Sequence, residues 1–219
     1  MPTSAYIQSA LFLLIAAVAL FGSAGTVSIV GFWLFLAIQL AGIVASFVLL
    51  PPDLVRERMQ PGGQKPPLGL RLSVVVLLVG LVIAGLDRGR FHWSDDVPPW
   101  LQGLSLVGVA GSYAFVFWAM TVNRFFSSIV RIQADRGQHV VASGPYAYVR
   151  HPGYLGGIVI MLCSGPALAS WLAGAILTAS GLPFLIYRAI TEDRVLHAEL
   201  PGYQEYAGRV RWRLVPGIW

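Results

Sequence analysis

The sequence has few charged residues: only 11% of its 219 positions are Asp, Glu, Lys or Arg, whereas 56% are hydrophobic. Soluble domains carry about 25% charged residues, so the shortage points to lipid as the surrounding solvent. There is a single cysteine, Cys163, which excludes an intramolecular disulfide. The composition therefore favours a membrane protein over an ordinary soluble domain.

Acidic residues are also scarce, and ten carboxylates against fifteen basic residues leave a net charge of +5. The basic residues lie between apolar runs, and no basic patch is interleaved with the stacking aromatics of a nucleic-acid site. Such charges are typical of loops that face anionic lipid head groups. The four histidines show no spacing that suits a metal site. We expect neither nucleic acid nor a metal ion as a partner.

Long apolar runs predict the membrane helices, because a spanning helix needs about 20 mostly apolar residues. Four runs cover residues 6–21, 29–50, 70–86 and 100–122. A fifth block, residues 154–187, is too long for one crossing and predicts a tight hairpin, broken near Ser164-Gly165-Pro166. The predicted fold class is all-α: a polytopic transmembrane helical bundle of about five membrane segments, with a C-terminal helical hairpin and a cytoplasmic tail.

The distribution of charge predicts the orientation of the chain. Stretches 51–71 and 123–151 are basic, loop 87–99 is acidic, and they alternate across the predicted spans. By the positive-inside rule, we expect both termini and both basic stretches on the cytoplasmic side. We divide the chain into N-terminal transmembrane helices, residues 1–99, and a C-terminal core, residues 100–219.

Polar and ionisable residues concentrate on both sides of the predicted hairpin. Because a hairpin brings its two ends together, Arg150, His151 and Tyr154 at its start should lie near Arg188 and Glu192 at its end. Each residue alone would suit an interfacial anchor. Ionisable groups at membrane depth are costly, however, so the whole cluster indicates a functional site at the cytoplasmic surface.

Segment 143–154 has residue types that suit a small ligand. Its Gly-Pro and His-Pro pairs favour turns, and Pro152 suits the first position of a helix. Amide groups at a helix start, near Gly153-Tyr154, can accept a carboxylate, while tyrosine rings can face an aromatic base or a cation. Arg188 and Glu192 lie four apart on one helix face and would add one cationic and one anionic anchor. The residues do not name the ligand.

Six short motifs occur in a fixed order within about residues 124–217. They are V-R-I-Q at 130–133, H-V-V at 139–141, S-G-P-Y at 143–146, R-H-P-G-Y at 150–154, Arg188 with Glu192-Asp193, and the ending from Gly202 to Gly217. In this order they resemble the isoprenylcysteine carboxyl methyltransferase family, with its phospholipid N-methyltransferase relatives. The first helices match that family only in hydrophobicity.

The resemblance implies a membrane enzyme that uses S-adenosylmethionine to methylate a lipophilic acceptor, whose reacting group is a carboxylate, an amine or a thiol. Arg188 would face that acceptor as the catalytic residue. The implied cofactor-binding residues are Gln133, His139, Val140, Val141, Tyr146, His151, Pro152, Gly153, Tyr154 and Glu192. A sulfonium methyl group is already activated, so positioning would carry most of the catalysis. Membrane lipids are the other expected partner, and the oligomeric state stays open.

Two other functions remain as alternatives. A membrane reductase with a nicotinamide cofactor would need additional phosphate-binding basic residues in stretch 123–151, where four arginines lie. A small transporter or scaffold would place polar residues at mid-membrane and usually shows paired repeats, whereas Gln39 and Gln102 are isolated. No G-x-G-x-x-G motif follows a predicted strand, which excludes a soluble Rossmann-type methyltransferase.

Overall fold

The computed structural model describes residues 3–63 and 68–219. This part is mostly helical, with no β-strand in the described ranges. Its α-helices are α1 Thr3–Ala17, α2 Val30–Leu49, α3 Pro52–Met59, α4 Leu68–Leu86, α5 Pro99–Val122, α6 Pro152–Ala167, α7 Trp171–Glu199 and α8 Tyr203–Arg209. Five of them, α1, α2, α4, α5 and α7, are long and apolar enough to cross a membrane. The predicted all-α polytopic bundle is confirmed.

Prolines and one serine explain where several helices begin. Pro52, Pro99 and Pro152 occupy the first positions of α3, α5 and α6, where the missing N–H costs no hydrogen bond. Ser170 caps α7, because its hydroxyl accepts a hydrogen bond from the Ala173 amide at 3.2 Å. These local signals set the ends of the helices that surround the site.

The hairpin differs from the prediction in two respects. Its turn lies at residues 168–170 rather than at 164–166, because α6 continues through Pro166 and Ala169 takes the left-handed conformation, with φ of 51°. Moreover, α7 continues to Glu199, so the second helix of the hairpin extends through residues 188–199, beyond the predicted end of the hairpin at residue 187. Arg, Ala, Leu and Glu are good helix formers, and the end of an apolar run does not end a helix that such residues continue.

The N-terminal helices pack on the C-terminal hairpin through one buried cluster. It includes Leu20, Phe32, Leu81, Ala167 and Leu168, which come from the turn after α1, from α2, from α4 and from the hairpin tip. The main contacts among the C-terminal helices are those of α5 with α6 and of α6 with α7. The two predicted parts, residues 1–99 and 100–219, therefore share a core.

The loops gather at two ends of the bundle. The Asp87 end comprises residues 23–29, 87–98 and 168–170, which Arg90 and Asp87 tie together: the Arg90 guanidinium donates to the Ser23 carbonyl at 2.7 Å, and Asp87 accepts from Ser170. The Asp193 end comprises residues 50–63, 123–151 and 200–219. The basic stretches that we expect in the cytoplasm share the Asp193 end, and its cytoplasmic side stays a prediction.

Candidate functional site

A cavity of about 390 Å³ lies at the Asp193 end, among α3 to α7 and the C-terminal segment. Ligand sites typically measure about 300–1,000 Å³. One part of its wall is polar and comes from loop 123–151, the start of α6 and the end of α7. The other part lies between the membrane helices and is mostly apolar, with Tyr113, Val116, Ile160, Met161, Phe184 and Leu185. The cavity can therefore hold both a polar group and a lipophilic one.

Most of the residues that the sequence marked as a site line this cavity. Arg188 does so, together with His139, Val140, Val141, Tyr146, His151, Pro152, Gly153, Tyr154 and Glu192. Gln133 is the predicted cofactor-binding residue that does not. Residues from the N-terminal part, including Arg58, Leu70 and Ser73, also line the wall. The cavity thus draws on both sides of the predicted boundary at residue 99.

The C-terminal segment holds the start of α6 in place. The amides of Arg150 and His151 donate to the carbonyls of Trp212 and Arg213, both at 2.9 Å. The Tyr206 hydroxyl donates to the Tyr146 carbonyl at 2.7 Å. Burial raises the pKa of the Tyr146 phenol above its ordinary value, so Tyr146 presents a neutral ring to the cavity.

The amide groups at the start of α6 are largely used within the chain. Pro152 has no N–H, and the amides of Tyr154 and Leu155 donate to the His151 carbonyl at 3.1 and 3.2 Å. The expectation that amides near Gly153-Tyr154 bind a carboxylate is therefore wrong for Tyr154, because its donor is already paired. An anion in this cavity needs a partner from another part of the wall.

Asp193 is the centre of a buried charge cluster behind the cavity wall. It is 2% exposed. Arg150 pairs with both of its oxygens, at 2.9 and 3.1 Å, and Arg213 donates at 2.8 Å. The Tyr203 hydroxyl lies at 3.0 Å and the His151 ring nitrogen Nε2 at 3.2 Å. Because its oxygens are saturated, Asp193 positions the cavity wall and is not free to bind a ligand.

Sequence reasoning assigned no role to Asp193. Its helical register contains the relevant signal: consecutive residues of a helix point about 100° apart, so Glu192 and Asp193 cannot face the same space. Glu192 turns toward the cavity and Asp193 toward Arg150 and the C-terminal segment. The adjacent acidic pair thus divides into a cavity-facing carboxylate and a structural one.

Tyr154 connects the predicted cationic and anionic anchors. Its hydroxyl donates to Glu192 Oε2 at 2.6 Å and accepts from Arg188 Nε at 3.2 Å. Arg188 also donates to the Ser128 carbonyl at 2.9 Å, and its guanidinium lies 5.8 Å from the ring centres of Tyr154 and Phe184. The two ends of the hairpin meet as expected, but through Tyr154 rather than a direct ion pair.

Glu192 is a half-buried carboxylate without a cationic partner in the described ranges. Within residues 3–63 and 68–219, no Arg or His nitrogen lies within 4.0 Å of it, and Tyr154 is its one hydrogen-bond donor. Aromatic rings of Tyr146 and Tyr154 line the same space. A carboxylate beside aromatic faces is a favourable environment for a cation.

Gln133 and His139 differ in their placement. Gln133 is buried and braces its loop: its side chain donates to the Phe125 carbonyl at 2.6 Å and accepts from Arg136 at 2.5 Å. His139 lines the cavity, is itself exposed, and stacks edge-on against Phe125 at 5.0 Å. Gln133 therefore supports the wall on which His139 lies.

Helix α3 joins the site through Glu57, a residue that sequence reasoning missed. Glu57 is 7% exposed and accepts hydrogen bonds from Arg131 at 3.0 and 3.1 Å, from Ser127 at 2.8 Å and from the Gly62 amide at 3.2 Å. Burial acts to raise the pKa of Glu57, but these hydrogen bonds outweigh it and hold the pKa below 4.5. The ion pair attaches loop 123–151 to the N-terminal helices.

The fold defines a polytopic membrane protein with a cavity at one end of its helical bundle. Residues 104–198 match the isoprenylcysteine carboxyl methyltransferase (ICMT) family. The match is limited to that segment of the chain, and it confirms the resemblance seen in the sequence.

Two curated bacterial proteins are similar over 142 residues, which is 64% of this chain. The cobalt-zinc-cadmium resistance protein CzcN of Cupriavidus metallidurans is 32% identical, and the nickel-cobalt-cadmium resistance protein NccN of Alcaligenes xylosoxydans xylosoxydans is 28% identical. The similarity covers 61% and 62% of these relatives, so this chain matches about three fifths of their length.

Proposed function

We propose that this protein is an integral membrane methyltransferase that uses S-adenosylmethionine and acts on a lipophilic acceptor at the Asp193 end, on the cytoplasmic side. The family match over residues 104–198 supports methyl transfer. The observation that carries the proposal is the Glu192 carboxylate, which faces an aromatic cavity without a cationic partner in the described ranges.

The residues of the cavity fit S-adenosylmethionine. Glu192 suits its α-ammonium group, and the rings of Tyr146 and Tyr154 suit its adenine or its sulfonium. His139, Val140 and Val141 complete this wall. When bound, the cofactor supplies an activated methyl group, so the chain has only to hold the acceptor in line and keep water away.

Arg188 has the position of an acceptor-binding residue. Tyr154 and the Ser128 carbonyl fix its guanidinium, and the apolar part of the cavity begins beside it at Phe184 and Leu185. This arrangement suits an acceptor whose lipophilic part lies between the helices and whose carboxylate or phosphate pairs with Arg188.

Proton transfer depends on the acceptor. A carboxylate or a thiolate needs no general base, whereas an ammonium group must first lose a proton. His151 binds Asp193 through Nε2 at 3.2 Å and is buried, which favours a positioning role. The site therefore suits an acceptor that arrives already deprotonated.

Calorimetric titration with S-adenosylmethionine tests the proposal. We expect Glu192→Gln to weaken binding by about tenfold, since one charged contact is lost, while the protein stays folded. Glu199→Gln is the matched control, because Glu199 lies on the same helix and is exposed. A folded wild-type protein that binds no S-adenosylmethionine would contradict the proposal.

The reductase alternative is disfavoured by the pairing of its required cations. The four arginines of stretch 123–151 all lie near carboxylates: Arg131 and Glu57 at 3.0 Å, Arg136 and Asp53 at 2.6 Å, Arg150 and Asp193 at 2.9 Å, and Arg124 and Asp53 at 3.7 Å. Little positive charge remains there for a dinucleotide phosphate. The same titration with NADPH distinguishes the two cofactors.

The acceptor can be identified directly. Lipid extracts are incubated with the protein and S-adenosylmethionine that carries an isotopically labelled methyl group, and labelled products are found by mass spectrometry. We expect a lipophilic product, and its fragmentation shows whether oxygen, nitrogen or sulfur received the methyl group. Arg188→Gln should abolish the product without abolishing cofactor binding.

Metal resistance is a second candidate role, at the level of the cell, because both relatives carry that description. The two proposals are compatible if a methylated lipid affects tolerance. Expression of the chain in a cadmium-sensitive bacterial host tests the link. Increased tolerance that is lost in Glu192→Gln would join the two roles, whereas tolerance independent of Glu192 would separate them.

A further inference from the structure

Arg58 is a cation in the cavity wall that lies outside the segment matched to the family, residues 104–198. It lies on α3, lines the cavity, and its guanidinium carbon lies 5.0 Å from the centre of the Phe126 ring. All ten carboxylate side chains of the protein fall within residues 3–63 and 68–219. None of them lies within 4.0 Å of the Arg58 side-chain nitrogens.

The two other arginines that line the cavity, Arg150 and Arg188, have partners, as do several arginines around it. Arg131 and Arg136 pair with Glu57 and Asp53, while Arg150 and Arg213 share Asp193. Arg188 donates to a carbonyl and to a tyrosine hydroxyl. A charge that is partly removed from water without a counter-ion is unfavourable. Such a cation in the wall of a cavity indicates a functional role.

Arg58 remains charged in this environment. Burial lowers the pKa of its guanidinium, but that pKa starts at about 12.5, so the group stays protonated near neutral pH. The aromatic ring of Phe126 supplies a favourable contact with one face of the cation. The N–H groups at its edge remain available to an anion in the cavity.

Other donors of the wall are partly used within the chain. Arg188 donates to Tyr154 and the Ser128 carbonyl, and the amides of Tyr154 and Leu155 are paired with the His151 carbonyl. Glu192, in contrast, is a carboxylate of the same cavity without a cationic partner in the described residues. Arg58 and Glu192 also act in opposite directions on the pKa of Tyr146, which Arg58 lowers and Glu192 raises. Both charges therefore lie near the Tyr146 side chain.

We propose that Arg58 is a second anion-binding residue of the cavity, beside Arg188, and takes a carboxylate or phosphate group of the bound cofactor or acceptor. The proposal rests on the proposed function in so far as S-adenosylmethionine supplies one such carboxylate. It adds a recognition role for α3, whose sequence lies outside the matched segment. Two opposite charges would then select a zwitterionic ligand or a pair of ligands of opposite charge.

The test uses two matched pairs of probes on the full-length purified protein. S-adenosylmethionine is compared with 5′-methylthioadenosine, which lacks the amino-acid group and the sulfonium charge, and decanoate is compared with decanol, which lacks the carboxylate. Affinities are measured by calorimetry for the wild type, Arg58→Gln, Arg58→Lys and Arg56→Gln. Arg56 is the control, since it lies on the same helix, has the same charge and is exposed.

We expect Arg58→Gln to weaken binding of at least one carboxylate-bearing probe by about tenfold, as expected for loss of a charge-assisted contact. Binding of the partner probe without a carboxylate should change by less than about twofold. Arg58→Lys should lose less than Arg58→Gln, because it keeps the charge, and Arg56→Gln should behave as the wild type. A selective loss for S-adenosylmethionine assigns the anion to the cofactor, and a selective loss for decanoate assigns it to the acceptor.

Equal loss for both members of each pair, or no loss in a folded Arg58→Gln protein, would overturn the proposal. So would a wild type that prefers neither carboxylate-bearing probe to its partner without a carboxylate. If the wild type binds decanoate through Arg58 but no S-adenosylmethionine, the proposed function fails while the anion site stands. If Arg58→Gln does not fold, Arg58→Lys decides the matter: weaker binding of a carboxylate-bearing probe, with its partner unchanged, supports the role, and no such loss overturns it.

Discussion

The two ends of the bundle each bury an aspartate, but they satisfy it in different ways. Asp87 is 0% exposed and accepts hydrogen bonds from neutral donors, the Ser94 amide, the Ser94 hydroxyl and the Ser170 hydroxyl, at 2.9, 2.6 and 2.5 Å. Asp193 instead binds two guanidinium groups. At the Asp87 end, hydrogen bonds from neutral donors hold the loops together, whereas the Asp193 end borders a cavity.

The difference shows what turns a buried charge into part of a site. Both aspartates hold loops together, and neither has a free oxygen for a ligand. At the Asp193 end, however, the helix turns a second carboxylate, Glu192, toward empty space, and Arg58 faces that space from α3. The candidate site therefore contains two charged side chains, Glu192 and Arg58, that have no oppositely charged partner in the described residues and lie beside the fully hydrogen-bonded Asp193 cluster.

Among the changes that test this comparison, Asp193→Ala should cause the largest loss of stability. Removing the carboxylate leaves the Arg150 and Arg213 charges without their partner, and truncating a buried ion pair costs about 3–5 kcal/mol. Unfolding in mixed detergent–SDS micelles measures the loss, with Glu199→Ala, an exposed change on the same helix, as control. If both variants unfold at the same SDS fraction as the wild type, the cluster does not stabilise the protein.

Asp87→Ala should have a smaller effect on stability and none on the site. It leaves Ser94 and Ser170 hydrogen-bond groups unpaired, at a cost of about 2–3 kcal/mol. The affinity for S-adenosylmethionine should stay within about twofold, because the change is remote from the cavity. Asp95→Ala, on the exposed part of the same loop, should alter neither quantity. A large loss of affinity in Asp87→Ala would show that the two ends are coupled.

Glu57→Gln should have the smallest effect, about 1 kcal/mol near neutral pH, and it should alter the acid side of the stability profile. Hydrogen bonds, chiefly from Arg131, hold the folded pKa of Glu57 below 4.5 despite burial. The stabilisation is therefore complete above the unfolded pKa and is lost as pH falls through the folded pKa. Stability is measured by unfolding between pH 7 and pH 3. As the pH is lowered, it should decrease less steeply for Glu57→Gln than for Glu205→Gln, an exposed control. Parallel profiles would refute the assignment.

Sequence alone predicted the topology and the meeting of the hairpin ends. Apolar runs located the spanning helices, since hydropathy reports the solvent that surrounds a helix. The pairing of Tyr154 with Glu192 followed from the hairpin, because its ends had to come together. The turn at residues 168–170 could not be predicted from Pro166, since neighbouring helices let a proline remain inside α6.

The contacts that link distant segments were not readable from local pattern. Asp193 pairs with Arg213, which is 20 residues away in sequence, and with Arg150, which is 43 residues away. Arg58 and Phe126 are in contact although two membrane helices, α4 and α5, lie between them in the sequence. Such contacts depend on side-chain positions in three dimensions, which periodicity does not encode. Gln133 shows the converse, because a motif position that resembled a ligand contact braces a loop instead.

The C-terminal segment that completes the Asp193 cluster has a consequence for biosynthesis. Tyr203 and Arg213 follow the last membrane helix in the chain, so the ribosome makes them after every spanning helix. At about 5–20 residues per second, the helices can enter the bilayer before these side chains exist. Membrane insertion and completion of the cavity can therefore be separate events in time, because the cavity wall is complete only when this segment packs on α6 and α7.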